Sequence, residues 1–91
     1  MPERRVVVGS KVGLHARPAA LFVQAAAKQP VKVTIAKDGK APVDAHSILA
    51  VLALDARGGD EVVLHAADAT DEAEAALDAL ATLVATDHDA K

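Results

Sequence analysis

The chain has 91 residues, a formal net charge of −3, no cysteine and a single aromatic residue, Phe22. That length suits one small domain, and the lack of cysteine excludes a disulfide framework or a thiolate metal site. The weak negative charge gives no electrostatic case for binding nucleic acid or an anionic membrane. No run approaches the roughly 20 apolar residues of a membrane span, and the N-terminal residues lack the apolar stretch of a signal peptide. The expected class is a soluble cytoplasmic domain with a thin core of Val, Leu, Ile and Ala.

In chain order, Arg4 to Val8 reads as a strand, closed by Gly9-Ser10. A helix is predicted from Ala16 to about Lys28, with Ala19, Phe22, Val23 and Ala26 on one face and Pro30 as its stop. Val31, Val33 and Ile35 alternate with Lys32 and Thr34, the period of a strand with one buried face. Asp38-Gly39 signals a hairpin, and its return strand, Lys40 to Val43, carries Pro42 and so belongs at a sheet edge. A second helix starts at Ser47, a good N-cap, and runs to about Leu54.

Arg57-Gly58-Gly59-Asp60 reads as a turn, and Glu61 to Ala66 as a strand with Val62 and Leu64 on one face. The last helix starts near Thr70 or Asp71, where acids suit the dipole. It shows an apolar face of Ala73, Ala76, Leu77, Leu80, Leu83 and Val84. The βαββαβα order predicts an α+β fold of the split-βαβ type: an open-faced sandwich with a four-stranded antiparallel sheet and three helices on one face. Arg5, Lys32 and Thr34 fit the face left open to water. Residues 1–86 form the expected domain and 87–91 a polar tail.

The octapeptide Gly13-Leu14-His15-Ala16-Arg17-Pro18-Ala19-Ala20 carries the chemistry. Pro18 is tolerated in a first helical turn because its missing N–H has no helix partner to lose. The unpaired N–H groups and positive dipole end of that turn then lie next to His15 in the chain. A nucleophilic imidazole nitrogen, the Arg17 guanidinium and the backbone N–H groups of Ala16 and Arg17 make a set suited to holding a phosphoryl group. The positive helix end disfavours imidazolium, leaving the neutral nucleophile, and favours the more negative phosphohistidine. Phosphoryl transfer asks for positioning and charge stabilisation more than for acid–base groups.

Gly13 to Ala20 also closely resembles the active-site signature of the HPr family, the histidine-containing phosphocarriers of the bacterial sugar phosphotransferase system, and the βαββαβα order matches that family's. The resemblance runs from the first strand to the last helix. It implies that His15 accepts a phosphoryl group on Nδ1 from phospho-Enzyme I, ultimately from phosphoenolpyruvate, and passes it to the IIA component of a sugar permease. It implies that Arg17 stabilises the phosphate, and that the chain is a stoichiometric carrier without a cofactor, not an enzyme. It also places Ser47 where some relatives are phosphorylated by an HPr kinase/phosphorylase, although an N-cap role alone accounts for a serine there. His46 stands where relatives often have lysine, Val12 where they often have a polar residue, and Gln24 and Ala27 where they often carry Lys or Arg.

The second helix needs only Val51 and Leu54 to bury one stripe, so Ile48, Leu49 and Leu52 are expected to be partly exposed. With Ala20 they form the implied docking face for protein partners, and the chain is expected to be a monomer. His46 and His88 are expected to be exposed and His65 to lie on the outer side of its strand, with no convergence into a metal site. Three other readings compete. One is a ferredoxin-like binding module for RNA or a small regulatory ligand; RNA recognition needs stacking aromatics and basic charge, which are lacking. A hydrolase using His15 has no second catalytic group nearby in sequence. An HPr-like regulatory or binding module with little transport role is the remaining alternative.

Overall fold

The computed structural model describes residues 2–9, 13–14, 16–37, 39–67 and 69–86. Its elements are β1 (Glu3–Val7), α1 (Ala16–Ala27), β2 (Val33–Lys37), β3 (Val43–Asp44), α2 (Ile48–Ala53), β4 (Glu61–Ala66) and α3 (Asp71–Ala85). The sheet order is β1-β4-β2-β3, with every neighbouring pair antiparallel. β4 is therefore inserted between β1 and β2, which run parallel without touching. This is the split βαβ, open-faced sandwich that the element order predicts.

Register explains which side chains face the helices. Leu64 of β4 lies between Arg4 of β1 and Ile35 of β2, and Val62 lies between Val6 and Lys37. Val33, Ile35, Val62, Leu64 and Ala66 are fully buried beneath Ala19, Phe22 and Ala26 of α1 and Ala73, Ala76, Leu77, Leu80 and Val84 of α3. The alternate residues Glu3, Arg5, Val7, Glu61, Val63 and His65 fall on the opposite face, as the period of two requires. Arg5 is exposed there as expected, and Lys32 is exposed just before β2; Thr34, flanked by strands on both sides, is half-buried. Among the described residues no helix is long and apolar enough to cross a membrane.

Helix starts follow their caps. Thr70 Oγ1 accepts from the Ala73 amide at 3.1 Å, and Ser47 Oγ accepts from the Ala50 amide at 3.3 Å. From the helix side of β1, Arg4 reaches α3, where it pairs with Glu74 and donates from Nε to Asp78 at 2.8 Å.

The hairpin's return strand differs from its predicted span, Lys40 to Val43; it is the two-residue β3, Val43–Asp44. Lys40 is held in the turn by its own N–H bond to the Lys37 carbonyl at 2.9 Å, and Pro42 has no N–H to give the ladder. β1 and β2 shift slightly as well. Val8 leaves the ladder to bond the chain around Asp60, and Val31 packs half-buried before β2 begins. Of the residues singled out in the sequence, Ser10, Val12, His15, Asp38, His88 and the tail from 87 lie outside the described residues.

Candidate functional site

The segments flanking His15 are fixed by their backbone. Gly13 has φ +76°, and a Cβ there would lie 2.2 Å from the Ala56 carbonyl oxygen and 2.7 Å from the Arg57 Cα. Only glycine meets both demands, the left-handed conformation and the close approach. The next residue, Leu14, is 1% exposed, and its amide donates to the Ala56 oxygen at 2.8 Å. At the other side of His15, α1 begins at Ala16.

The first turn of α1 contains Ala16, Arg17 and Pro18. Amides here have no carbonyl one turn back to bond, and proline at this position forfeits nothing. The turn carries no acidic residue, so its positive end is not offset locally. Arg17 is exposed while Pro18 and Ala19 are buried, which directs the guanidinium outward and ties the turn into the core. The expected phosphate-holding groups, Ala16 and Arg17, thus share one helical turn next to His15 in the chain.

The expected docking residues sit on two helices that pack against each other, α1 and α2. Ala20 is exposed; Ile48 is 39% and Leu49 77% exposed, and Leu52 is half-buried. Val51 and Leu54, by contrast, are buried as the one-stripe argument requires. Ser47 caps α2 and is half-buried. His46 is exposed, its amide donating to Asp44 Oδ1 at 2.8 Å with its Nδ1 3.9 Å from the same oxygen. His65 is half-buried on the open sheet face. Among the described residues, no group of three or more His, Asp and Glu side chains is placed to hold a metal.

One feature escaped the sequence reading. After α2 the chain turns through Asp55, which has φ +53°. Three successive carbonyls then accept from three separate donors: Leu54 from Lys40 Nζ at 3.4 Å, Asp55 from Lys37 Nζ at 3.0 Å, and Ala56 from Leu14 N at 2.8 Å. Lys37 Nζ also lies 3.3 Å from Asp60 Oδ2, which accepts the Arg57 amide at 2.9 Å. The carboxyl of Asp60 is held below its ordinary range, first by the Arg57 N–H and next by Lys37. The Arg57–Asp60 turn was legible as a turn, but nothing local announced that Lys37 reaches it.

Known proteins resemble the chain along nearly its whole length. Residues 2–86 match the family described as "PTS HPr component phosphorylation site". The chain is 61% identical over 85 residues to the phosphocarrier protein HPr of Streptomyces coelicolor, covering 93% of this chain and 89% of that one. It is 46% identical over 84 residues to the HPr-like protein Crh of Bacillus subtilis, covering 92% of this chain and 95% of that one. The crystal structure of an HPr from Bacillus anthracis superposes with a TM-score of 0.82 at 43% identity, covering 91% of this chain and 95% of that one.

Proposed function

Because the chain belongs to the HPr family, we propose that His15 is the residue on which it carries a phosphoryl group. The protein is a phosphocarrier of the phosphotransferase system, used stoichiometrically and not a catalyst. The observation that supports His15 most directly is the backbone on its two sides. Leu14 is bonded to Ala56, and α1 starts at Ala16.

In the proposed step, Nδ1 of neutral His15 attacks the phosphorus of phospho-Enzyme I. The N–P bond forms as the donor's bond to phosphorus breaks, and that electron pair leaves with the donor. Nε2 keeps its proton. The amides of Ala16 and Arg17 and the Arg17 guanidinium stabilise the charge on the transferred group. Passage to a IIA component repeats the exchange in the opposite sense, with His15 as the leaving group. Because the carrier contributes a nucleophile and an anion site but no acid–base pair, each partner completes the active site in turn.

The carrier unit spans residues 1–86 and acts in the cytoplasm as a monomer. Enzyme I and IIA dock across Ala20, Ile48, Leu49 and Leu52. Apolar side chains exposed on a small protein favour such use. Ser47 is a candidate for regulatory phosphorylation by an HPr kinase/phosphorylase, its phosphate sitting at a helix start while placing charge within the docking face. The likeness to Crh favours a second reading, an HPr-like regulatory module with little transport role; the nucleophile at His15 favours the carrier.

Incubation with Enzyme I, phosphoenolpyruvate and magnesium decides between them. The carrier takes up one acid-labile phosphoryl group per chain, none in His15→Ala, and takes it up slowly in Arg17→Ala. Labelling that survives His15→Ala overturns the assignment, and an unchanged rate in Arg17→Ala removes Arg17 from the step.

A further inference from the structure

On the connection from β1 to α1, the described residues Val8, Gly13 and Leu14 rest on the stretch between α2 and β4. Val8 donates to the Asp60 carbonyl at 2.8 Å and accepts from the Gly59 amide at 2.9 Å. Leu14 donates to the Ala56 carbonyl at 2.8 Å, and Gly13 lies against Ala56 and Arg57. The positions of Val8, Gly13 and Leu14 therefore depend on the shape of residues 54–60.

That shape is not one the backbone adopts freely. Asp55 holds φ +53°, a conformation a non-glycine residue keeps only when its surroundings enforce it. Asp and Asn are the side chains that tolerate it best, and Asp55 follows the C-cap Leu54, the position where helices commonly turn left-handed. The contacts that hold it there include the Asp55 amide's bond to the Leu52 carbonyl at 3.1 Å, the bond its carboxylate accepts from Arg57 at 3.3 Å, and the reach of Lys37. The Lys37 ammonium bonds the Asp55 carbonyl at 3.0 Å and faces the Asp60 carboxylate at 3.3 Å, joining the two ends of the stretch. Asp60 in turn closes the Arg57 turn through its bond to the Arg57 amide. Register puts Lys37 on the helix side at the end of β2, opposite Val62, so the ammonium comes from a strand of the central sheet.

We infer that Lys37 and Asp60 form a clasp that positions Val8, Gly13 and Leu14, the described residues before His15, by fixing the residue 54–60 stretch on which they rest. Both are positioning residues, since they act through Ala56 and Asp60 backbone groups and not on the phosphate. This inference rests on His15 being the acceptor. It adds that the rate of transfer depends on two side chains outside the octapeptide.

The test uses the full chain in three variants, Lys37→Met, Lys37→Arg and Asp60→Asn, with exposed Lys32→Met as the control. Amide hydrogen exchange is read at Leu14, which reports its bond to Ala56, and at Ala76 in the buried face of α3. Phosphorylation by Enzyme I and phosphoenolpyruvate is followed in parallel. Removing a charge-assisted bond is expected to speed exchange at Leu14 and to slow transfer, each about tenfold, in Lys37→Met and Asp60→Asn. Ala76 stays as in the wild type, Lys37→Arg restores most of the rate, and Lys32→Met changes neither.

Unchanged exchange at Leu14 overturns the clasp. Equal acceleration at Leu14 and Ala76 also overturns it, since that is a general loss of stability. Faster exchange at Leu14 with unchanged transfer overturns the positioning role. Failure of the wild type to take phosphate at His15 is a different result: it overturns the carrier reading, and with it the role of the clasp in transfer. A clasp that fails while the wild type is still phosphorylated leaves the carrier reading standing.

Discussion

The amide of Leu14 bonds the carbonyl of Ala56 at 2.8 Å, joining the residue before His15 to a segment more than forty positions later in the chain. A phosphocarrier needs this kind of attachment because its chemistry is mostly positioning: a nucleophile displaced by 1 Å loses much of its advantage. The attachment is also narrow in what it tolerates, as the neighbouring glycine makes plain.

Gly13→Ala is expected to be much more harmful than Gly39→Ala. Both glycines have positive φ, +76° and +82°. A methyl group at Gly39 meets nothing within 4 Å, whereas at Gly13 it meets the Ala56 carbonyl at 2.2 Å. Gly39→Ala should cost about 1 kcal/mol from its φ alone, within the range of about 1–3 kcal/mol for such strain. Gly13→Ala adds a backbone clash and loss of the Leu14–Ala56 bond. Urea unfolding measures the two costs, and equal values would show that the approach of Gly13 to Ala56 is not fixed.

Ser47 separates a structural role from a regulatory one. Ser47→Ala should destabilise the protein by about 1 kcal/mol through loss of the cap on Ala50. Ser47→Asp retains a capping oxygen and places a negative charge at a helix start, so stability stays within about 0.5 kcal/mol of the wild type. Its phosphorylation by Enzyme I should nevertheless slow, because the charge falls beside Ile48 and Leu49. Thermal unfolding and the transfer rate, measured on the same samples, separate the two effects.

Leu49, 77% exposed, offers a cleaner test of the docking face. Leu49→Glu removes no core contact and should change stability by less than about 0.5 kcal/mol. The apparent KM for Enzyme I should rise about tenfold, equivalent to about 1.4 kcal/mol of binding. An unchanged KM would remove α2 from that interface.

Asp60 links the clasp to pH. Its folded-state pKa lies below the ordinary aspartate value because the Arg57 amide, and then Lys37, favour the carboxylate. A group depressed in this way contributes stability above its unfolded pKa and loses that contribution as pH falls through the folded value. The stability gap between the wild type and Asp60→Asn should therefore be constant from neutral pH down to about pH 5 and shrink below about pH 4, the unperturbed aspartate range. A gap that widens on acidification would contradict the ion pair and hydrogen bond assigned to Asp60.

Local pattern carried much of this fold. The alternation from Glu61 to Ala66 marks β4 with its observed bounds, and Thr70 followed by an acidic first turn marks the start of α3. The apolar spacing of α2 foretells that Val51 and Leu54 go in while Ile48 and Leu49 stay out. The octapeptide is legible because its glycine, proline and helix start are neighbours in sequence. What local pattern misses is partly turn geometry and partly long-range contact. β3 moved because the Lys40 amide closes the turn, and Asp55 adopts a left-handed conformation with no glycine to announce it. The meeting of Lys37 with Asp60 follows only from the insertion of β4 beside β2.

Phosphate is proposed to reside transiently on Nδ1 of His15. Phosphorus and nitrogen NMR of the uniformly labelled chain, after reaction with Enzyme I and phosphoenolpyruvate, tests this most directly. A single N–P bond at His15 Nδ1, lost when a IIA partner is added, is the expected result. A phosphoryl group on Nε2, on another residue, or one that stays in place when that partner becomes phosphorylated would contradict it.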